Sequence, residues 1–136
     1  GLTEAIRVAL ADGNVDLKKV GYINAHGTST TLNDKIETLG IKKAFGDHAY
    51  KLNISSTKGA TGHMLGATGA VESIVCVKAL QTSLIPPTIN YQTPDPDCDL
   101  NYTVNKAVTR SLEYAVNINV GFGGQNAVLI FKKYEG

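Results

Sequence analysis

Val20-Gly21-Tyr22-Ile23-Asn24-Ala25 runs straight into His26-Gly27-Thr28-Ser29-Thr30, an apolar strand that empties into a polar, glycine-bearing loop. The pattern repeats downstream, where Leu52-Asn53-Ile54-Ser55 leads into a second Gly/Thr/Ser loop holding Lys58 and His63. Helical spacing fills the intervals. Leu2, Ile6, Ala9 and Leu10 share one face of a first helix, with a stop at Asp12-Gly13-Asn14. A second helix is expected from Asp34, with Glu37 as capping-box partner, carrying Ile36, Leu39, Ala44 and Phe45 and closing at Gly46. A third is expected over residues 65–80, and its small residues Gly66, Ala67, Gly69 and Ala70 place it in the interior. Three strands are expected after Pro86-Pro87, over residues 100–104, 115–120 and 126–131, the last two joined by Gly121-Phe122-Gly123-Gly124-Gln125. The order α-β-α-β-α followed by late strands defines an α/β domain with parallel pairing. Ligands then sit at the carboxyl ends of the strands.

Composition sets the outer bounds. The chain has 136 residues, 43% hydrophobic and 18% charged, enough for one domain with an ordinary core. A net charge of +1 gives no broad basic field, so nucleic acid and anionic membranes are poor partners. No apolar run reaches the ~18 residues a spanning helix needs. Two cysteines are too few for a disulfide scaffold and too far apart for a CxxC motif, in keeping with a reducing compartment. Cys76 stands among Ile74, Val75 and Val77 as a small core residue. Cys98 lies within Asp95-Pro96-Asp97-Cys98-Asp99, where negative neighbours disfavour a thiolate and so a nucleophile. The start, Gly1-Leu2-Thr3-Glu4, has neither initiator methionine nor signal character, and the chain reads as a piece of something longer.

Two histidines at matching strand ends can converge on one edge of a doubly wound sheet. A lone histidine near a helix start is usually just a satisfied polar residue; the pairing changes that balance. A metal pair is the competing reading, weakened because no third ligand stands at a recognisable spacing. Glu72, inside Ala70-Val71-Glu72-Ser73-Ile74-Val75, needs a cation if its helix is buried, and Lys58 is the natural candidate. An exposed Glu72 is the alternative. The Gly121–Gly124 turn can offer backbone N–H groups to an oxyanion, although glycine-rich hairpins are common. Neither GxxxxGK[ST] nor GxGxxG follows a strand, which excludes those phosphate-binding loops.

Three segments carry a resemblance across nearly the whole chain: His26-Gly27-Thr28-Ser29-Thr30 with Asp34 and Glu37; Ser55-Ser56-Thr57-Lys58 through Thr61-Gly62-His63 to Gly66-Ala67-Thr68-Gly69-Ala70-Val71-Glu72; and Gly121-Phe122-Gly123-Gly124-Gln125-Asn126. In this order they resemble the β-ketoacyl-[acyl-carrier-protein] synthases, nearest the elongating Cys-His-His type. The resemblance implies a thiolase-like fold of two similar α/β halves, with residues 1–136 forming the C-terminal domain, truncated at its N-terminal edge. It implies a decarboxylating Claisen condensation of malonyl carrier protein with an acyl thioester in fatty acid elongation. The nucleophilic cysteine lies in the other half, so this chain alone is expected to be inactive. His26 and His63 would stabilise the enolate, with Lys58 a fixed cation held by Glu72. Thr28 and Thr30 would bind the phosphopantetheine arm. Phe122 would gate the acyl pocket and, with Gly123 beside it in the turn, border the substrate, its own N–H entering the oxyanion hole. No metal and no separate cofactor are implied, since the substrate rides on the carrier protein's phosphopantetheine. The implied partners are acyl carrier protein, the N-terminal half and a second copy in a homodimer, in the cytoplasm or alternatively a mitochondrion or plastid.

Departures and rivals accompany the likeness. Ile118-Asn119-Val120 stands where the family usually has Asn-Ser-Phe, which bears on acyl chain length. Thr31 and Asn33 replace a frequent proline and glycine in the pantetheine loop. Polyketide ketosynthases share the motifs. A non-catalytic partner subunit is a further alternative, opposed by retention of both histidines and the lysine. A thiolase would carry a cysteine near residues 121–126, and none is there.

Overall fold

Strand β1, Val20–Asn24, is buried at every position, as a strand covered on both faces must be. In the computed structural model, which describes Gly1–Gly136, it is one of two inner strands of a four-stranded sheet ordered β2-β1-β5-β6. β2 (Asn53–Ser55) and β5 (Tyr114–Val120) run parallel to β1 on either side, and β6 (Asn126–Lys132) pairs antiparallel with β5. The chain order expected from sequence therefore holds, but β5 enters the sheet beside β1 from far along the chain.

Alternation along the strands sorts side chains between two layers. Ile23, Ile54, Val116 and Ile118 face helices α1 (Leu2–Asp12) and α2 (Asn33–Phe45), meeting Leu2, Ile6, Leu10, Ile41 and Phe45. Tyr22 and Ala115 face α4 (Thr68–Thr82), where Cys76, Ala79 and Leu80 complete a smaller core. Gly40 allows α1 and α2 to approach closely; a Cβ there would lie 3.0 Å from Leu2. A four-residue helix α3 (Lys58–Thr61) links β2 to α4.

Three expectations are corrected. Residues 100–104 form no strand: a lone backbone bond, Ile54 N to the Asn101 carbonyl, ties the segment to β2, and Val104 makes a single bridge with Thr88. A small separate ladder of β3 (Leu84–Ile85) and β4 (Val108–Thr109) appears instead. Ile36 and Leu39 face outward, while Glu37, Thr38, Gly40 and Ile41 take the inner face of α2. Helix α4 is interior on one side only: Glu72, Cys76 and Ala79 are buried, whereas Gly66, Ala67 and Ala70 are exposed, as is Ile74 at 61%.

That outer face of α4 presents Ile74 and Val77 to solvent, with exposed Leu84 beyond the helix end. Contiguous apolar surface of this kind drives association. The 136-residue chain in solution is expected to self-associate, and Ile74→Asp with Val77→Lys to shift it toward monomer in sedimentation velocity.

Candidate active site

Parallel pairing sets Asn24 of β1 level with Ser55 of β2, so the loops that follow leave the sheet at one height. Ser56 Oγ donates to the Gly27 carbonyl at 2.8 Å and ties the loops together. Gly27 has φ +40°, and a Cβ there would sit 2.5 Å from Ser56 Cβ, so this position admits only glycine.

The consequence is a meeting of rings. The imidazoles of His26 and His63 lie 5.6 Å apart between centroids, nearly perpendicular at 86°. His26 is buried and His63 exposed. His63 Nδ1 accepts the Leu65 backbone N–H at 3.1 Å and faces Thr68 Oγ1 at 3.2 Å. A backbone N–H can only donate, so the neutral His63 ring carries its proton on Nε2. His26 titrates below the ordinary histidine value, first because burial disfavours the cation and then because Lys58 lies near. It is therefore neutral at physiological pH.

Lys58 opens α3 and points inward, its Nζ 2.6 Å from Glu72 Oε1, with side-chain exposures of 7% and 3%. The exposed-Glu72 alternative is excluded. Its other oxygen accepts from Asn117 Nδ2 at 2.9 Å and Asn119 Nδ2 at 2.7 Å. The local sequence pattern assigns no chemistry to those two asparagines. Their signal was alternation: Val116 and Ile118 face the larger core, so Asn117 and Asn119 must face α4.

Glu37 is not the capping partner that its spacing from Asp34 predicts. Its carboxylate crosses to the β1 loop, accepting from His26 N at 2.7 Å and Gly27 N at 2.9 Å, with Asn33 Nδ2 at 3.2 Å. Asp34 instead receives the Ser29 N–H at 3.2 Å. Burial raises the Glu37 carboxyl above its usual range, opposed by the two backbone donors. Glu37→Ala leaves those N–H groups without partners and is expected to cost about 2 kcal/mol, read from denaturant unfolding.

The remaining positions are less enclosed. Thr28 Oγ1 and Thr30 Oγ1 lie 3.2 Å apart at the loop rim. Phe122 projects fully into solvent from the β5–β6 hairpin. Gly121 N and Gly124 N are used within that turn, and Gly123 N donates to Gln125 Oε1 at 3.1 Å. The Phe122 N–H is not engaged there, so it, and not that of Gly123, is available to a ligand. A cavity of 590 Å³ opens beside the histidines, between α2 and residues 88–102; it reaches Gly27, Ser29 and Thr30 but neither imidazole. Cys76 is buried and its thiol pushed up to about 12 by burial, which removes it as a nucleophile. No group of three or more His, Cys, Asp or Glu is placed to hold a metal ion.

A mixed sheet with helices on both faces, and a histidine loop at each of two neighbouring strand ends, defines the C-terminal half of a thiolase-like condensing-enzyme fold. A crystal structure of a beta-ketoacyl synthase from Burkholderia phymatum superposes with TM-score 0.92 at 36% identity, covering 98% of this chain and 32% of that one. A type II polyketide ketosynthase, solved in complex with its acyl-carrier protein, gives TM-score 0.97 at 38% identity, over 99% and 33% of the respective chains. The family described as "Beta-ketoacyl synthase, C-terminal domain" matches residues 1–92, and the chain belongs to it. Among full-length relatives, 3-oxoacyl-[acyl-carrier-protein] synthase 2 of Synechocystis is 47% identical over 135 residues, 99% of this chain and 32% of the relative. Nodulation protein E of Rhizobium meliloti is 49% identical over 133 residues, 98% and 33%. The chain thus spans about a third of the length of these relatives.

Proposed function

We propose that this chain supplies the His/His/Lys part of a site for decarboxylating Claisen condensation, joining a malonyl thioester on acyl carrier protein to an acyl thioester in fatty acid elongation. One observation carries the reading. Two imidazoles from separate strand ends stand 5.6 Å apart above a buried lysine–carboxylate pair.

Loss of carbon dioxide from a malonyl thioester leaves its electron pair as an enolate, with negative charge on the thioester oxygen. The His63 Nε2–H strengthens its hydrogen bond only as that charge develops, which lowers the barrier more than it tightens substrate binding. His26 closes the other side of the same point. Lys58 adds a fixed positive charge, oriented by Glu72. The enolate carbon then attacks the acyl thioester held on a cysteine outside this chain, forming the carbon–carbon bond and expelling the thiolate. The free Phe122 N–H suits the oxyanion of that second step, and its exposed ring suits a gate to the acyl chain. Thr28 and Thr30 offer hydroxyls to the amides of the pantetheine arm.

The test is complementation. The chain alone, with Cys76 buried, is expected to give no condensation; joined to a cysteine-bearing N-terminal half it is expected to condense acyl and malonyl carrier protein. Turnover by the chain alone overturns the division of labour. A second reading is favoured by the polyketide ketosynthase match. Preference for poly-β-keto thioesters over saturated acyl thioesters in the completed enzyme would select it.

A further inference from the structure

We infer that Asn119 positions His26, holding the imidazole proton on Nδ1 and leaving Nε2 as an acceptor, so that the two histidines present unlike atoms to the point they share. The orientation of the Asn119 amide is decided by its other partners. Its Nδ2 donates to Glu72 Oε2 at 2.7 Å and to Asn117 Oδ1 at 3.0 Å. Glu72, paired with Lys58, is a carboxylate and only accepts. Turning the amide round would set oxygen against oxygen at both contacts. Oδ1 must therefore face the ring, and it lies 3.3 Å from His26 Nδ1. An amide oxygen only accepts, so the proton belongs to Nδ1.

The contrast with His63 is direct. There a backbone N–H occupies Nδ1 and drives the proton to Nε2; no backbone N–H reaches Nδ1 of His26. Lys58, Glu72, Asn119 and His26 form one connected sequence, with Nζ donating to Oε1, Nδ2 to Oε2 and Nδ1 to Oδ1. An acceptor at Nε2 offers no hydrogen bond to an enolate oxygen, so His63 alone donates to that oxygen while His26 accepts a polar hydrogen beside it, a departure from the expectation that both imidazoles stabilise the enolate. Asn119 is not in contact with substrate in this arrangement; it acts through the ring.

The tautomer stands on geometry alone, while its kinetic consequence rests on the condensation reading. Long-range ¹⁵N NMR of the histidine-labelled chain reads the tautomer. His26 is expected to show a protonated Nδ1 and an unprotonated Nε2, and His63 the reverse. Asn119→Ala, or the milder Asn119→Ser, too short to bridge Glu72 and His26, is expected to give His26 a mixture of tautomers. In the completed enzyme Asn119→Ala is expected to slow decarboxylation about tenfold, the lower end of the loss seen when a hydrogen-bond partner of a functional histidine is removed, with KM little changed. In a His26→Ala background the same substitution should cost almost nothing further, since coupled residues do not add. A wild-type His26 protonated on Nε2, or losses that multiply in the double variant, overturns the inference. Decarboxylation indifferent to both His26→Ala and His63→Ala overturns the condensation reading instead and leaves the tautomer assignment intact.

Discussion

Replacing His63 with alanine in the completed enzyme is expected to slow malonyl decarboxylation by about 10²–10³-fold, the loss typical of one oxyanion donor. The argument is one of preorganisation. Leu65 N–H occupies Nδ1, so the neutral ring has no choice but to offer Nε2–H. That donor costs no reorganisation when the enolate forms. His63 is also exposed, so the alanine variant should fold normally and the loss should be kinetic. Release of carbon dioxide from malonyl carrier protein is the measurement. His63→Gln, which restores a neutral N–H donor, is expected to recover part of the rate. Unchanged release in the alanine variant would remove His63 from the chemistry altogether.

Glu72→Ala is expected to destabilise the fold by about 3–5 kcal/mol, as removal of one member of a buried ion pair does. The penalty falls on Lys58, whose ammonium stays in a position only 7% exposed with no other carboxylate bonded to it. Asn117 and Asn119 lose an acceptor at the same time. Denaturant unfolding of the wild type and variant gives the difference. Glu72→Ala combined with Lys58→Met is expected to regain much of the loss, because apolar replacement of both partners removes the stranded charge. A loss below about 1 kcal/mol for Glu72→Ala, the size of an exposed pair, would contradict the buried geometry. Decarboxylation should fall in the same variants, through His26 and the lost cation.

Much of the site was legible because its residues sit at the ends of regular elements. Both strand-to-loop junctions, His26 and His63, followed from apolar runs ending in Gly/Thr/Ser loops, and Glu72 followed from the cost of burying a carboxylate among alanines and valines. Where local pattern misled, a long-range partner had intervened. Asp34 and Glu37 have capping-box spacing, yet Glu37 goes to His26 N and Gly27 N, ten or more residues away. Ile36 and Leu39 have the polarity of a core face, yet Thr38 and Ile41 take it: Thr38 Oγ1 bonds the Asp34 carbonyl at 2.7 Å and meets the Tyr102 hydroxyl. The small residues at 66–70 suggested an enclosed helix start, but only Thr68 is buried there.

The amino-acid sequence by itself determined the α/β class, the order of the main elements, and the two loops that carry imidazoles. These depend on periodicity, turn chemistry and burial cost, all of which are written locally. Only the tertiary structure decided that β5 lies beside β1, that Asn119 thereby reaches both Glu72 and His26, and that the two neutral rings hold their protons on different nitrogens. Such contacts join residues 93 and 47 positions apart. A side chain's hydrogen-bond partner across that distance is set by sheet order and register, and no short-range pattern encodes either.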